Sequence, residues 1–315
     1  MRILERLKLL RIVRILTNLK YYRQLRANHS LYQKNGINKK VWQTLSHRSI
    51  KKSSGELPWL DGPVSHEEIR QSPAFASFSP KVQNQLLQWN DQGYILLPDF
   101  FPVQQIEEVA LSVEEGLSNK DKHDYFSNRL LNLYRTNPQI KKIFTDPDLL
   151  KLLSFILGKE TAPFQTINFY KSSSQPAHSD AIHLTTEPLG YSIGVWVALE
   201  DIQAGSGEFF YYPGSHRLPY ILNEDFHHKN NFWILGDHLH EKYEKKVAEI
   251  IQEKALKEEI FRPKKGDLMI WHTNLLHGSA PKQNPLLTRK SMVMHYFAKG
   301  VLCYHEMLEK PAVLF

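Results

Sequence analysis

The sequence predicts an α+β protein whose core is a β-barrel or jelly roll, and three observations carry that expectation. Helix-favouring segments crowd the first half of the chain. Runs of β-branched and aromatic residues, separated by Gly, Pro, Ser and Asn turns, fill the second half. Helices and strands do not alternate as a parallel sheet would require.

The elements follow in order. Residues 1–26 lack Gly and Pro and favour helix, although over that length Ile3, Leu4, Leu7, Leu10, Ile12, Val13 and Leu19 spread around the helical wheel. Residues 27–80 carry Gly36, Gly55, Pro58, Gly62, Pro63, Pro73 and Pro80 and read as a linker or an extended wrap. A boundary near residue 80 thus separates a basic N-terminal region, 1–80, from a folded domain over 81–315. From Val82 a helix runs to Gly93, the strand YILL follows, and a second helix starts after Pro102. Helices are expected over 137–145 and 147–157, with Pro138 and Pro147 in their first turns. TINFYK, SIGVWVAL, GEFFYY, GDLMIWH and RKSMVMHYF read as strands, interrupted by a long insertion over 221–262 that contains a charged helix.

Of 315 residues, 42% are apolar and 11% aromatic, ample for a packed core. The single cysteine, Cys303, excludes an intrachain disulfide and argues against a Cys-built metal site, which fits a reducing, cytoplasmic location. Charge is uneven: residues 1–52 hold fourteen Lys or Arg against one acid, Glu5, a net of +13, and the remaining 26 basic and 32 acidic residues net −6. No apolar run approaches the roughly 18–20 positions a membrane span needs, because Arg or Lys interrupts the N-terminus every few positions. Residues 1–52 are therefore expected to sit peripherally on an anionic membrane, or else to pack against the acidic remainder. Specific nucleic-acid binding is not expected, because only Tyr21, Tyr22 and Tyr32 interleave the basic stretch.

Phosphate-loop and serine-hydrolase signatures are missing. A metal reading fares better. His178-Ser179-Asp180 places an imidazole and a carboxylate on alternate residues, hence on one face of an extended strand. A non-haem Fe(II) centre needs such a pair and a distant His. His277, heading His-Gly-Ser, is the preferred third ligand. His272, inside the apolar run LMIWH, is expected to pack. Arg289, at the start of the next strand, could grip a dicarboxylate with a bidentate pair. His183 is balanced between a substrate contact and a structural role, while His216 is expected to hold its turn together and Cys303 to be buried.

GYILLPDFF, FYKSSSQPAHSD, VWVALEDI, GSGEFFYYPGSHR, KKGDLMIW, LLHGS and the Arg289 strand together resemble the phytanoyl-CoA dioxygenase family of Fe(II)- and 2-oxoglutarate-dependent oxygenases, over residues 93–297. The resemblance implies a double-stranded β-helix. It implies Fe(II) held by His178, Asp180 and His277, and 2-oxoglutarate contacted by Arg289, Ser279 and Trp196, with O₂ as oxidant. Hydroxylation of a small-molecule or lipid-linked substrate, with succinate and CO₂ as coproducts, is the implied reaction. Ser179 stands where the family often has Gln, a change expected to alter the floor of the substrate pocket. The intact Asp180 disfavours halogenation, and the 221–262 insertion has no clear family counterpart. A second reading is an inactive oxygenase-fold adaptor that binds a membrane or another polyanion through its basic N-terminus. A third is a plain metal-binding module, against which Arg289 argues.

Overall fold

Capped helices come first along the chain. The computed structural model describes residues 10–118, 129–227 and 234–313. Helices α1 (Arg11–Leu19), α2 (His29–Lys34) and α3 (His66–Gln71) precede α4 (Pro80–Gln92), β1 (Tyr94–Leu97) and α5 (Val103–Ser118). Strand β2 (Arg129–Leu131), helices α6 (Pro138–Phe144) and α7 (Pro147–Leu157) and strand β3 (Thr161–Phe169) follow. Ser79, Asn137 and Asp146 cap α4, α6 and α7 by accepting the backbone N–H three residues on, each with proline in the first turn. Gly93 and Gly158 end α4 and α7 in the left-handed conformation.

The rest is mostly strand: β4 (Thr185–Glu187), β5 (Ser192–Ala198), β6 (Phe209–Tyr211), helix α8 (Leu239–Glu253), β7 (Glu259–Phe261), β8 (Leu268–His272), β9 (His277–Ser279), β10 (Ser291–Ala298), β11 (Leu302–His305) and β12 (Lys310–Pro311). They form an antiparallel sheet of order β1-β8-β5-β10-β3-β2 and two three-stranded sheets, β7-β6-β9 and β12-β11-β4.

Alternation decides which side chains reach the barrel interior. Ile193, Val195 and Val197 of β5, Leu268 and Ile270 of β8, and Met292, Met294 and Tyr296 of β10 pack on the helices α4–α7. Trp196, Met269 and Trp271 point the other way and meet Phe209, Tyr211 and Phe261 of the small sheet. With both faces covered, these strands read as continuous apolar runs.

Of the two expectations for residues 27–80, the structure shows a wrap packed on the domain and not a linker. Tyr32, Ile37, Val41 and Leu45 form a core with Leu302 and Tyr304, while Leu60, Ile69 and Phe75 join the main core. Their apolar positions follow neither helical nor strand period, so the Gly and Pro content dominated the sequence reading. The inserted segment is also shorter than expected, because Glu259–Phe261 pairs with β6 as part of the barrel.

The N-terminal helix differs from its expected wheel. Residues 1–9 lie outside the described part, and α1 stops at Leu19, so only its own nine residues share one axis. Within it Ile12, Leu16 and Leu19, at i, i+4 and i+7, are all exposed, at 53%, 60% and 42%. The opposite side is anchored by an Arg11–Glu309 ion pair at 2.6 Å and by Asn18, which donates to the Trp42 carbonyl. Among the described residues no helix is long and apolar enough to cross a membrane.

Candidate metal centre

A reciprocal backbone pair builds the centre. His178 and His277 each donate their N–H to the other's carbonyl at 2.9 Å, an isolated antiparallel bridge that sets the two rings 4.5 Å apart. His178-Ser179-Asp180 is not a regular strand. Ser179 alone is extended, with φ −106° and ψ 136°, before a 3₁₀ turn over Asp180–Ile182, and one extended residue suffices to put His178 and Asp180 on the same side.

The ring tautomers follow from local hydrogen bonds. His178 Nδ1 lies 3.0 Å from the Pro176 carbonyl and His277 Nδ1 2.9 Å from the Leu275 carbonyl. A carbonyl only accepts, so both Nδ1 atoms carry the proton and both Nε2 lone pairs are free for a metal. Asp180 Oδ1 is 3.7 Å from His178 Nε2, and its Oδ2 is 3.6 Å from His277 Nε2. Those gaps are long for hydrogen bonds and suit groups that share a cation. One ligand atom from each of the three residues lies within 4.8 Å of the others.

Electrostatics agree with the ligand states required. Burial pushes His277 down to about 4, so its imidazole is neutral at physiological pH. Burial works to raise the Asp180 carboxyl, but His277, His178 and His295 beside it outweigh that and hold it well below the usual range. Trp271 Nε1–H donates to Asp180 Oδ2 at 3.0 Å and fixes the carboxylate plane. That position of the indole requires Gly194, because a Cβ there would stand 2.3 Å from the Trp271 ring.

All six sequence-predicted site residues line one cavity of about 70 Å³: His178, Asp180, His277, Trp196, Ser279 and Arg289. Arg289 is 2% exposed and its Nε is a buried donor without a partner. No carboxylate pairs with it among the described residues, and its charge faces the rings of Phe169 and Trp196, at 5.5 and 5.9 Å. Burial pushes this guanidinium down to about 10. A buried cation without a carboxylate partner, in the same cavity as the Asp180 carboxylate and its two histidines, is an arrangement that a metal-bound dicarboxylate would complete.

His272, the rival third ligand, faces away from the centre. Its Nε2 is 3.1 Å from Asp61 Oδ2 in the helical layer, and Asn274 N–H donates to its Nδ1. The reason is parity, since Trp271 already points inward. His216 holds its turn as expected, with Nε2 3.0 Å from the Asn90 carbonyl, and Cys303 is buried in the main core. Ser179 does not floor the pocket: its hydroxyl donates to the Thr273 carbonyl and its N–H to the Tyr243 hydroxyl of α8, so it ties the ligand loop to the insertion.

Sequence reasoning missed His295 and Trp271. His295 Nε2 lies 3.4 Å from Asp180 Oδ2. The signal was available, because Arg289, Ser291, Val293 and His295 are spaced by two and share the inward face.

Comparison with known proteins agrees with this geometry. The phytanoyl-CoA dioxygenase (PhyH) family profile matches residues 89–291, well over half of the chain. Phytanoyl-CoA dioxygenase domain-containing protein 1 of Mus musculus is 49% identical over 88 residues, 27% of this chain and 30% of that protein. Its Danio rerio counterpart is 54% identical over 39 residues, 12% of this chain and 13% of that protein. The matched stretches thus span less than a third of these relatives. The non-heme alpha ketoglutarate dependent carbocyclase SnoK superposes with a TM-score of 0.57 at 14% identity, covering 80% of this chain and 91% of its own. EctD from S. alaskensis with bound Fe gives 0.53 at 20%, covering 70% and 77%. The epimerase SnoN in complex with Fe3+ and alpha ketoglutarate gives 0.55 at 16%, covering 70% and 85%. These likenesses establish the fold as a double-stranded β-helix. With its profile match, this fold and the buried His-Asp-His set, the chain belongs to the phytanoyl-CoA dioxygenase family.

Proposed function

We propose that the protein is an Fe(II)- and 2-oxoglutarate-dependent oxygenase that hydroxylates a small-molecule or lipid-linked substrate. The observation that carries the reading is the orphaned Arg289 cation in the same cavity as the His178, Asp180 and His277 ligand atoms. In it, the three side chains hold Fe(II), and Arg289 pairs with the distal carboxylate of 2-oxoglutarate, with Ser279 and Trp196 beside it. The chemistry such an ion and cosubstrate supply when bound is oxidative: O₂ is reduced, 2-oxoglutarate leaves as succinate and CO₂, and the substrate is oxidised.

The chain's own contribution is placement and dryness. The Pro176 and Leu275 carbonyls keep both imidazoles in the ligating tautomer, and Trp271 keeps the Asp180 carboxylate in one orientation. Phe209 stacks on His277 with ring centroids 5.2 Å apart, and with Phe169 and Trp196 it limits water around the ligands. The test supplies the full-length protein with Fe(II), 2-oxoglutarate and O₂ and measures succinate. Succinate should form only when all three are present. With cell extract added, one metabolite should gain about 16 Da, the mass of one oxygen. No succinate above a protein-free control would overturn the reading.

A peripheral membrane location is part of the proposal, and the exposed Ile12, Leu16 and Leu19 stripe on a basic segment supports it. The intact protein should float with vesicles rich in phosphatidylserine and detach as salt rises. Replacing the three apolar residues by Glu should abolish flotation, and no flotation of the wild type at low salt refutes membrane attachment.

A further inference from the structure

We propose that Glu200 is a positioning residue that clamps the chain on both sides of Arg289 and so aims the guanidinium at the distal carboxylate of 2-oxoglutarate. The inference rests on the oxygenase reading and adds a residue that lies outside the metal cavity.

Arg289 needs such a support. Its guanidinium is buried, pairs with no carboxylate among the described residues, and lies over the rings of Phe169 and Trp196. Ring faces attract a cation without fixing the direction of its planar fork, whereas a bidentate grip on a carboxylate depends on that direction. The aim of the side chain is therefore set at its root, by the backbone of residues 288–290. One tie there is the Arg289 N–H, which donates to the Tyr170 carbonyl at 3.1 Å.

The end of the β5–β10 ladder shows how that backbone is held. Ser291 pairs with Ala198, so Lys290 and Leu199 are the next pair outward. Leu199 N–H donates to the Lys290 carbonyl at 3.0 Å, and a regular antiparallel pair would return a bond from Lys290 N–H to the Leu199 carbonyl. Lys290 N–H donates instead to Glu200 Oε1, at 2.8 Å. The other oxygen, Oε2, accepts from the Thr288 hydroxyl at 2.8 Å. One carboxylate thus grips the residue before Arg289 and the residue after it. Lys290 adds a further tie, because its Nζ pairs with Glu114 of α5 and stands 3.8 Å from Glu200 Oε2. Alternation sends the side chains of Thr288 and Lys290 away from the cavity that Arg289 lines, so the clamp occupies none of the space a cosubstrate needs.

The test titrates 2-oxoglutarate into the full-length protein loaded anaerobically with Fe(II), by calorimetry, and measures Fe(II) affinity and the unfolding midpoint beside it. Glu200→Ala should weaken 2-oxoglutarate about tenfold to a hundredfold, because a misplacement of about 1 Å can cost that much, and should leave Fe(II) affinity unchanged. Glu200→Gln keeps an acceptor for Lys290 N–H and offers its amide N–H to the Thr288 hydroxyl, so it should bind nearly as the wild type does. The discriminating readout is the Arg289→Ala background. There Glu200→Ala should cost no further 2-oxoglutarate affinity while still lowering the unfolding midpoint, since a residue that acts through Arg289 has nothing left to aim. Thr288→Val removes one of the two contacts and carries the same comparison if Glu200→Ala does not fold. Unchanged 2-oxoglutarate affinity in Glu200→Ala, an equal loss in both backgrounds, a parallel loss of Fe(II), or Glu200→Gln as weak as Glu200→Ala overturns the clamp. A wild type that binds 2-oxoglutarate, with Glu200→Ala unaffected, refutes the clamp alone. A wild type that takes up no 2-oxoglutarate refutes the oxygenase reading and the clamp with it.

Discussion

Asp180→Ala is expected to abolish metal binding and, with it, succinate formation. The carboxylate is the one anion in the ligand set, so its loss leaves a divalent ion with no charge to offset its dehydration. Removing a group that merely supports a ligand typically costs 10–100-fold in metal affinity, so loss of a ligand should exceed about 100-fold. There is a structural cost as well. Trp271 Nε1–H donates to Asp180, and a buried donor left unpaired costs about 1–3 kcal/mol. Asp180→Asn retains an acceptor for the indole while losing the charge. The two variants should therefore fail alike in Fe(II) titration and differ in thermal stability, with Asn the more stable. Wild-type metal affinity in either variant would contradict the ligand assignment.

Arg289→Ala should weaken 2-oxoglutarate far more than it weakens iron. Truncating one partner of a buried, charge-assisted pair costs about 2–5 kcal/mol, which is roughly 30-fold to several thousand-fold in affinity. The ligand-free protein should behave differently, because the variant also removes a buried cation that no carboxylate offsets. The thermal shift produced by saturating 2-oxoglutarate should vanish in Arg289→Ala, while its absence of ligand leaves the melting point much less affected. Arg289→Lys should restore the shift only in part, since an ammonium is a point charge and cannot form the planar fork. An undiminished shift in the Ala variant would remove Arg289 from the 2-oxoglutarate site.

Much of the centre was legible because its signals are short-range. A His and an Asp two apart share a side whether the intervening residue belongs to a strand or to a single extended turn, so the pair survived the local geometry being different from that expected. His277 was chosen over His272 from a strand exit, and the structure supplies the stronger reason, the inward position already taken by Trp271. His295 was overlooked even though its spacing from Arg289 marks the inward face. Ser179 was misplaced because its partners, Thr273 and Tyr243, lie 94 and 64 residues away.

By itself the sequence determined the α+β class, the positions of most helices and strands, and the candidate metal ligands His178, Asp180 and His277. Those features depend on periodicity, capping and residue chemistry, which act within a few positions of the chain. Only the tertiary structure decided that residues 27–80 supply core side chains such as Leu45 and Leu60, and that α1 docks on β12 with its apolar stripe outward. These depend on contacts between segments up to nearly 300 residues apart, such as Arg11 with Glu309. Such contacts carry no periodic trace, because each side chain's burial is set by the surface that folding brings against it.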